Sequence, residues 1–177
     1  MVEAATDPHA ASVARLARHA APLLNLNPEH AFWAGLLHDV GKRAMPAELL
    51  NATRPLTPAE WVVMRRHAEL GAALIAERWP AAPPCVLHAV RHHHERTDGR
   101  GYPDGLTALP QLTALVAACD VLDALVSDRP YRPAYPAGEA LAIHRTTLLP
   151  PLALQAACEA YVQQGSRAPV QVAAGHV

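Results

Sequence analysis

His38 and Asp39 stand side by side at the end of the apolar run Leu36-Leu37-His38-Asp39-Val40-Gly41-Lys42, and no other stretch constrains the chain as strongly. Neighbouring residues on a helix point about 100° apart, so the two cannot grip one ion from one face in the i, i+4 manner. They can reach a shared centre from a last helical turn, with the Asp39 carboxylate spanning two ions. Alone, such a pair reads as a helix C-terminus, with Gly41 as the cap and Lys42 as a polar exit. Matching groups elsewhere change that reading: His9, His67, the pair His93-His94, and Asp120. Each falls on a different predicted helix, about one helix and its connection apart, so a bundle can deliver them all to one centre.

Of the eleven histidines, the remainder are plainer. His92 flanks the pair that follows it, while His19, His30, His88, His144 and His176 have no partners in sequence and read as surface or satisfied core residues.

The pattern along the chain predicts helices throughout. Pro8 opens one that runs to about Ala21, with Val13, Leu16 and Ala17 on one face. Asn27-Pro28-Glu29 is a second start (cap, proline, acid against the dipole), for a helix that carries Phe32, Leu36 and Leu37 inward and ends at Gly41. A short helix near 47–51 follows. Thr57-Pro58-Ala59-Glu60 has a capping-box pattern and leads past Trp61 and Met64 to His67. Another apolar stretch runs from Leu70 to Ile75. Pro83-Pro84 opens a helix with Val86, Leu87 and Val90 on its face, running into His92-His93-His94-Glu95. Asp98 to Gly105 is a loop by its glycines and Pro103. An almost wholly apolar helix follows Pro110, and two more span about 136–147 and 150–164.

The expected fold is therefore all-α, a helical bundle of about seven helices. It forms one domain over 1–165, with a loose polar tail at 166–177. Aromatic residues are only 5% of the chain while Ala, Leu and Val dominate, which favours closely packed helices over a sheet. The formal net charge of −1 gives no global field for nucleic acid or an anionic membrane, so an anionic substrate must be recognised locally. No apolar run reaches transmembrane length and the start lacks a signal-peptide pattern. Cys85, Cys119 and Cys158 are far apart and lack CxxC spacing, which suits a reduced, cytoplasmic protein with buried thiols.

Five imidazoles and two carboxylates suit Fe, Mn or Zn better than Mg or Ca, which prefer oxygen shells. Two octahedral ions offer about twelve positions, and these side chains fill about eight of them, leaving room for water and substrate oxygens. Two divalent ions against two carboxylates leave positive charge to meet a phosphodiester. Asp123, three residues after Asp120, is placed to hydrogen-bond a ligand histidine.

These motifs together resemble the HD-GYP domains. His38-Asp39 with Gly41-Lys42 is similar to that family's HD-x-GK motif. His93-His94-Glu95, Asp98-Gly99 and Gly101-Tyr102-Pro103 match its HHE-xx-DG-x-GYP signature. Asp120-Val121-Leu122-Asp123-Ala124-Leu125 matches its D-x-x-DAL segment, and Arg129-Pro130-Tyr131-Arg132 its RPYR segment. The resemblance covers about residues 9–160. It implies an all-α fold and hydrolysis of cyclic di-GMP to pGpG and/or GMP. The metal ligands it implies are His9, His38, Asp39, His67, His93, His94 and Asp120. Lys42, Arg129 and Arg132 would hold substrate phosphates or guanine, and Tyr102 would lie against the substrate or a protein partner.

The chain departs from the family at two positions. Trinuclear members carry a Glu one turn before the first histidine, where this chain has Ala5. Ala114 stands where the family often has Arg. The first departure leads to an expectation of two ions, Fe or Mn before Zn. The expected reaction is attack by a bridging hydroxide on phosphorus, with Asp39 and Lys42 as catalytic residues. Two alternatives stand beside it: a slow or inactive nucleotide-sensing and protein-docking module, and a hydrolase of another cyclic dinucleotide. The partners implied are cyclic di-GMP, a GGDEF-domain or other signalling protein on the Tyr102 loop, and a second copy of the chain. Neither nucleic acid polymer nor membrane is expected.

Overall fold

A computed structural model describes residues 7–128 and 133–165. Arg129, Arg132, Ala5 and the tail at 166–177 lie outside the described residues. Among those described there are nine α-helices and no strand. They are α1 (Pro8–Ala20), α2 (Pro28–Leu37), α3 (Ala47–Leu50), α4 (Pro58–Arg65), α5 (His67–Arg78), α6 (Pro84–His92), α7 (Gln111–Val126), α8 (Ala137–Arg145) and α9 (Pro151–Gly165). Short 3₁₀ turns at Ala21–Leu24 and Val40–Ala44 join the first three. No described helix is long and apolar enough to cross a membrane.

α7 is the axis of the bundle. Every residue from Leu112 to Cys119 is buried, so it is apolar all round and must be covered on every side. α1, α2, α6, α8 and α9 pack against it. Much of this core is alanine, and small side chains let helices approach closely. At the α1–α2 crossing, a Cβ on Gly35 would lie 2.8 Å from Ala14 Cα. The buried face of α2 is accordingly Ala31, Ala34 and Gly35. Phe32, Leu36 and Leu37, expected inside, are only half-buried, and Leu37 packs on the smaller cluster of Ile75, Ala82 and Val90.

The helix starts follow their sequence signals. Asn27 Oδ1 accepts from the backbone N–H groups of Glu29 and His30. Thr57 and Glu60 form a reciprocal capping box. Three expectations need correction. α2 ends at Leu37, not Gly41, and a 3₁₀ turn carries the chain across the glycine. The helix from Thr57 stops at Arg65, and the chain bends at Arg66 so that His67 opens a separate α5. The thiols are not all buried: Cys85 is exposed, whereas Cys119 and Cys158 are inside.

Candidate metal centre

The expected donors sit mostly at helix ends. Asp7 caps α1 by accepting from the His9 N–H, which sets His9 in the first turn. His38 and Asp39 follow directly on α2, His67 begins α5, and His93 and His94 follow directly on α6. Asp120 lies within α7. Helix ends converge here because Gly41 lies pressed on the first turn of α5. A Cβ on Gly41 would come within 1.9 Å of the His67 carbonyl oxygen and 2.5 Å of Gly71 N. This glycine is needed for close approach, not for terminating a helix, and the approach places Asp39 Oδ1 3.2 Å from His67 Nε2.

All seven donors come together in two adjoining groups. Asp39, His67, His93 and His94 form one, and His9, His38 and Asp120 form the other. Within each group the donor atoms lie within 4.8 Å of one another. Asp39 connects them: its Oδ1 faces His67 and His93, and its Oδ2 lies 3.3 Å from His38 Nε2. Across the groups the imidazoles form a row, His9 to His38 at 5.3 Å and His38 to His93 at 5.1 Å between ring centres.

Hydrogen bonds fix the ring tautomers. The Nδ1–H groups of His38, His67 and His93 donate to the carbonyls of Gly35, Met64 and Val90, at 2.7, 2.8 and 2.8 Å. A carbonyl can only accept, so each Nδ1 carries a proton and each Nε2 is left to face the centre. His9 Nδ1 lies 2.6 Å from Asp123 Oδ2, the contact expected of Asp123. Its Nε2 lies 3.1 Å from Asp120 Oδ1.

Three buried atoms here have no hydrogen-bond partner: His38 Nε2, Asp39 Oδ1 and His93 Nε2. Such atoms cost free energy unless something satisfies them, and a cation within the two groups would do so. Electrostatics agree. Burial pushes His94 down to about 3 and His93 well below the usual imidazole range, so both offer lone pairs at neutral pH. Burial also opposes charge on Asp39 and Asp120, yet the surrounding imidazoles hold both carboxyls well below their ordinary value. His9 is raised to about 9 because bonds to Asp120 and Asp123 outweigh its burial. A proton there occupies ground that favours positive charge, as an ion would. The donor set fits divalent transition metals.

Around this centre, Lys42 Nζ lies 2.6 Å from Asp39 Oδ2 and lines a cleft of about 220 Å³ with Asp7, Ala10, Leu36, Asp39, Val40 and Arg43. Tyr102 stacks on His94 with ring centres 4.6 Å apart. The remaining described histidines are satisfied elsewhere, as His144 is between the Ala118 carbonyl and Cys158. Ala114, one of the two departures noted in the sequence, is in the core and away from solvent.

Glu95 has a role that sequence reasoning missed. It is fully buried, and its carboxylate accepts from three backbone N–H groups: Asp104 at 2.7 Å and Gly105 and Leu106 at 3.0 Å. Gly101 packs on its backbone, where a Cβ would sit 2.3 Å from Glu95 Cα. Glu95 thus ties the 98–106 loop, and with it Tyr102, to the end of α6. Arg91 and His92 add bonds to Asp104 from the same helix.

The chain is similar to known proteins to different extents. A cyclic di-GMP phosphodiesterase of Pseudomonas aeruginosa is 44% identical over 110 residues, covering 61% of this chain and 26% of that protein. A 3'3'-cGAMP-specific phosphodiesterase of Vibrio cholerae is 34% identical over 142 residues, covering 77% and 32%. The chain thus spans about a quarter to a third of the length of these relatives. The structure of the Listeria monocytogenes phosphodiesterase PgpH HD domain in complex with cyclic-di-AMP matches with TM-score 0.67. It is 16% identical and the match covers 96% of this chain and 92% of that one, a likeness of fold. The relatives' names accord with the HD-GYP resemblance of the motifs. The seven donors gathered around the His38-Asp39 turn lie within residues 2–147, which match the model of the HD domain family, and the chain belongs to that family.

Proposed function

We propose that this domain, residues 1–165, hydrolyses cyclic di-GMP to pGpG and/or GMP. The observation that carries the reading is Asp39 between two donor groups with three unsatisfied buried donor atoms, beside open clefts. The chain covers a minor part of the relatives it matches, so their activity comes to it as a proposal. His9, His38, Asp39, His67, His93, His94 and Asp120 would hold two divalent ions, Fe or Mn before Zn. Ala5 offers no carboxylate for a third. When bound, such ions lower the pKa of water and offset charge that develops on a phosphoryl group.

The chain's own residues then bind and orient. Lys42, paired with Asp39, sets a cation at the cleft to meet a non-bridging phosphate oxygen. The carbonyl-bound Nδ1 groups keep His38, His67 and His93 in one tautomer, so these three rings present Nε2 to the centre without a change of tautomer. Glu95 holds the Tyr102 loop against His94. Arg129 and Arg132 are assigned to phosphate or base by their motif alone. The three free cysteines suit a reducing cytoplasm; the Tyr102 loop motif implies a GGDEF-domain or other signalling protein as partner, and a second copy of the chain is the other partner class.

The test is metal analysis of anaerobically purified protein with a product assay on cyclic di-GMP. The expected result is two ions per chain and guanine nucleotide products. In Asp39→Ala both metal and hydrolysis should be lost while the helical spectrum stays. Full activity of Asp39→Ala with unchanged metal would overturn the assignment. Three well-occupied ions without ligand would overturn the argument from Ala5.

A further inference from the structure

α4 has an unusual surface. None of its residues is buried. Trp61, Val62 and Val63 are nevertheless large, apolar and 46%, 66% and 39% exposed. Polar contacts at its start hold it instead: the Thr57–Glu60 box and the two bonds from Arg54 to Glu60. Exposed apolar surface beside a polar centre marks a place where something binds.

A cleft of about 480 Å³ lies against this face, lined by Pro58, Trp61, Val62, Arg65 and Tyr102. Trp61 and Arg65 are four residues apart, so they share one side of the helix. The Arg65 guanidinium carbon is 5.3 Å from the centre of the Tyr102 ring. Tyr102 in turn stacks on His94 and meets His67 edge-on at 6.3 Å. One wall of the cleft is therefore Tyr102, whose ring leans on two histidines of the four-residue donor group. Among the described residues no ion pair engages Arg65, so its fork of donors is available to a ligand.

An aromatic face beside an available guanidinium is what a purine requires. Bases stack on indole rings whatever their identity. Guanine also offers O6 and N7 on one edge, which the arginine fork meets with two bonds, whereas adenine replaces one of these acceptors with a donor. We propose that Trp61 and Arg65 form the base pocket for the nucleotide whose phosphate lies at the His67–His94 group, Trp61 stacking on the purine and Arg65 selecting guanine. The proposal rests on the cyclic dinucleotide reading of the centre and names two specificity residues within it.

The experiment compares cyclic di-GMP with cyclic di-AMP on the metal-loaded wild-type protein and on Trp61→Ala, Trp61→Phe and Arg65→Gln. It also follows tryptophan emission during titration with 5′-GMP and with ribose 5-phosphate. Trp61→Ala should raise KM for cyclic di-GMP roughly ten- to hundred-fold, the loss typical of one stacked base, with little change in kcat. Trp61→Phe should recover most of that loss. Arg65→Gln should raise KM for cyclic di-GMP about ten-fold and much less for cyclic di-AMP. GMP, but not ribose 5-phosphate, should change the emission of wild type and leave Trp61→Ala unaffected. If wild type turns over cyclic di-GMP while both KM and emission are indifferent to Trp61 and Arg65, the pocket is overturned and the α4 face belongs to a protein partner. Failure of metal-loaded wild type to bind or cleave cyclic di-GMP would instead overturn the reading of the centre.

Discussion

Glu95 has three backbone donors on its two oxygens and no access to water. Hydrogen bonds to a buried charge are among the stronger ones, and losing a partner leaves the other group unsatisfied. In Glu95→Gln one oxygen becomes an NH₂ that faces N–H groups. We expect a fall in unfolding free energy of about 2–3 kcal/mol, read from the urea midpoint. Amide exchange at Asp104 to Leu106 should quicken while metal content stays near wild type. Lys42→Ala should separate from this pattern: it leaves the donors intact, so metal should remain and KM for the phosphodiester should rise. If Lys42→Ala loses its metal, Lys42 is a structural partner of Asp39 and not a substrate contact. The donor set was legible in the sequence because imidazole and carboxylate declare their chemistry by residue type. Glu95 was not, because its partners are backbone N–H groups that no side-chain pattern displays.

Glycines divide along the same line between what a sequence shows and what packing decides. A Cβ on Gly41 would run into backbone of α5, whereas one on Gly138 would meet nothing within 4 Å. Gly41→Ala should therefore cost at or above the upper end of the roughly 1–3 kcal/mol typical of overpacking. It should also weaken metal binding, since the Asp39 turn and His67 must move apart. Gly138→Ala, within α8, should stabilise by about 0.5–1 kcal/mol, because alanine removes conformational freedom from the unfolded chain. Thermal melts of the two variants with and without metal check both directions. The helix starts at Asn27 and Thr57 were readable because caps and prolines are local. The stop of α2 at Leu37 and the bend at Arg66 were not. Both lie where the 3₁₀ turn after α2 docks on α5, a contact between separate elements that no local pattern displays.

At the scale of the whole molecule, the seven donors come from α1, the turn after α2, the start of α5, the end of α6 and the middle of α7. Ions held there would cross-link most of the bundle. The same residues without ions leave buried nitrogens poorly served: His38 Nε2 and His93 Nε2 have no hydrogen-bond partner, and His67 Nε2 has only the long 3.2 Å bond from His94 Nε2. Loading therefore stabilises the native state alone, since an unfolded chain has no such arrangement. With free metal at about a hundred times its dissociation constant, the gain is about 2.7 kcal/mol, a rise in Tm of roughly 5–10 °C for a domain of this size. We expect chelation to lower Tm by that much, and Mn or anaerobic Fe to restore it. In Asp39→Ala the difference between loaded and chelated protein should largely vanish, because the residue that joins the two donor groups is gone. Trp61→Ala should keep the full difference, since Trp61 is an exposed side chain that offers no donor to the centre. A chelation shift that persists undiminished in Asp39→Ala would mean that the stabilising ion sits elsewhere, and the two-group centre would lose its assignment.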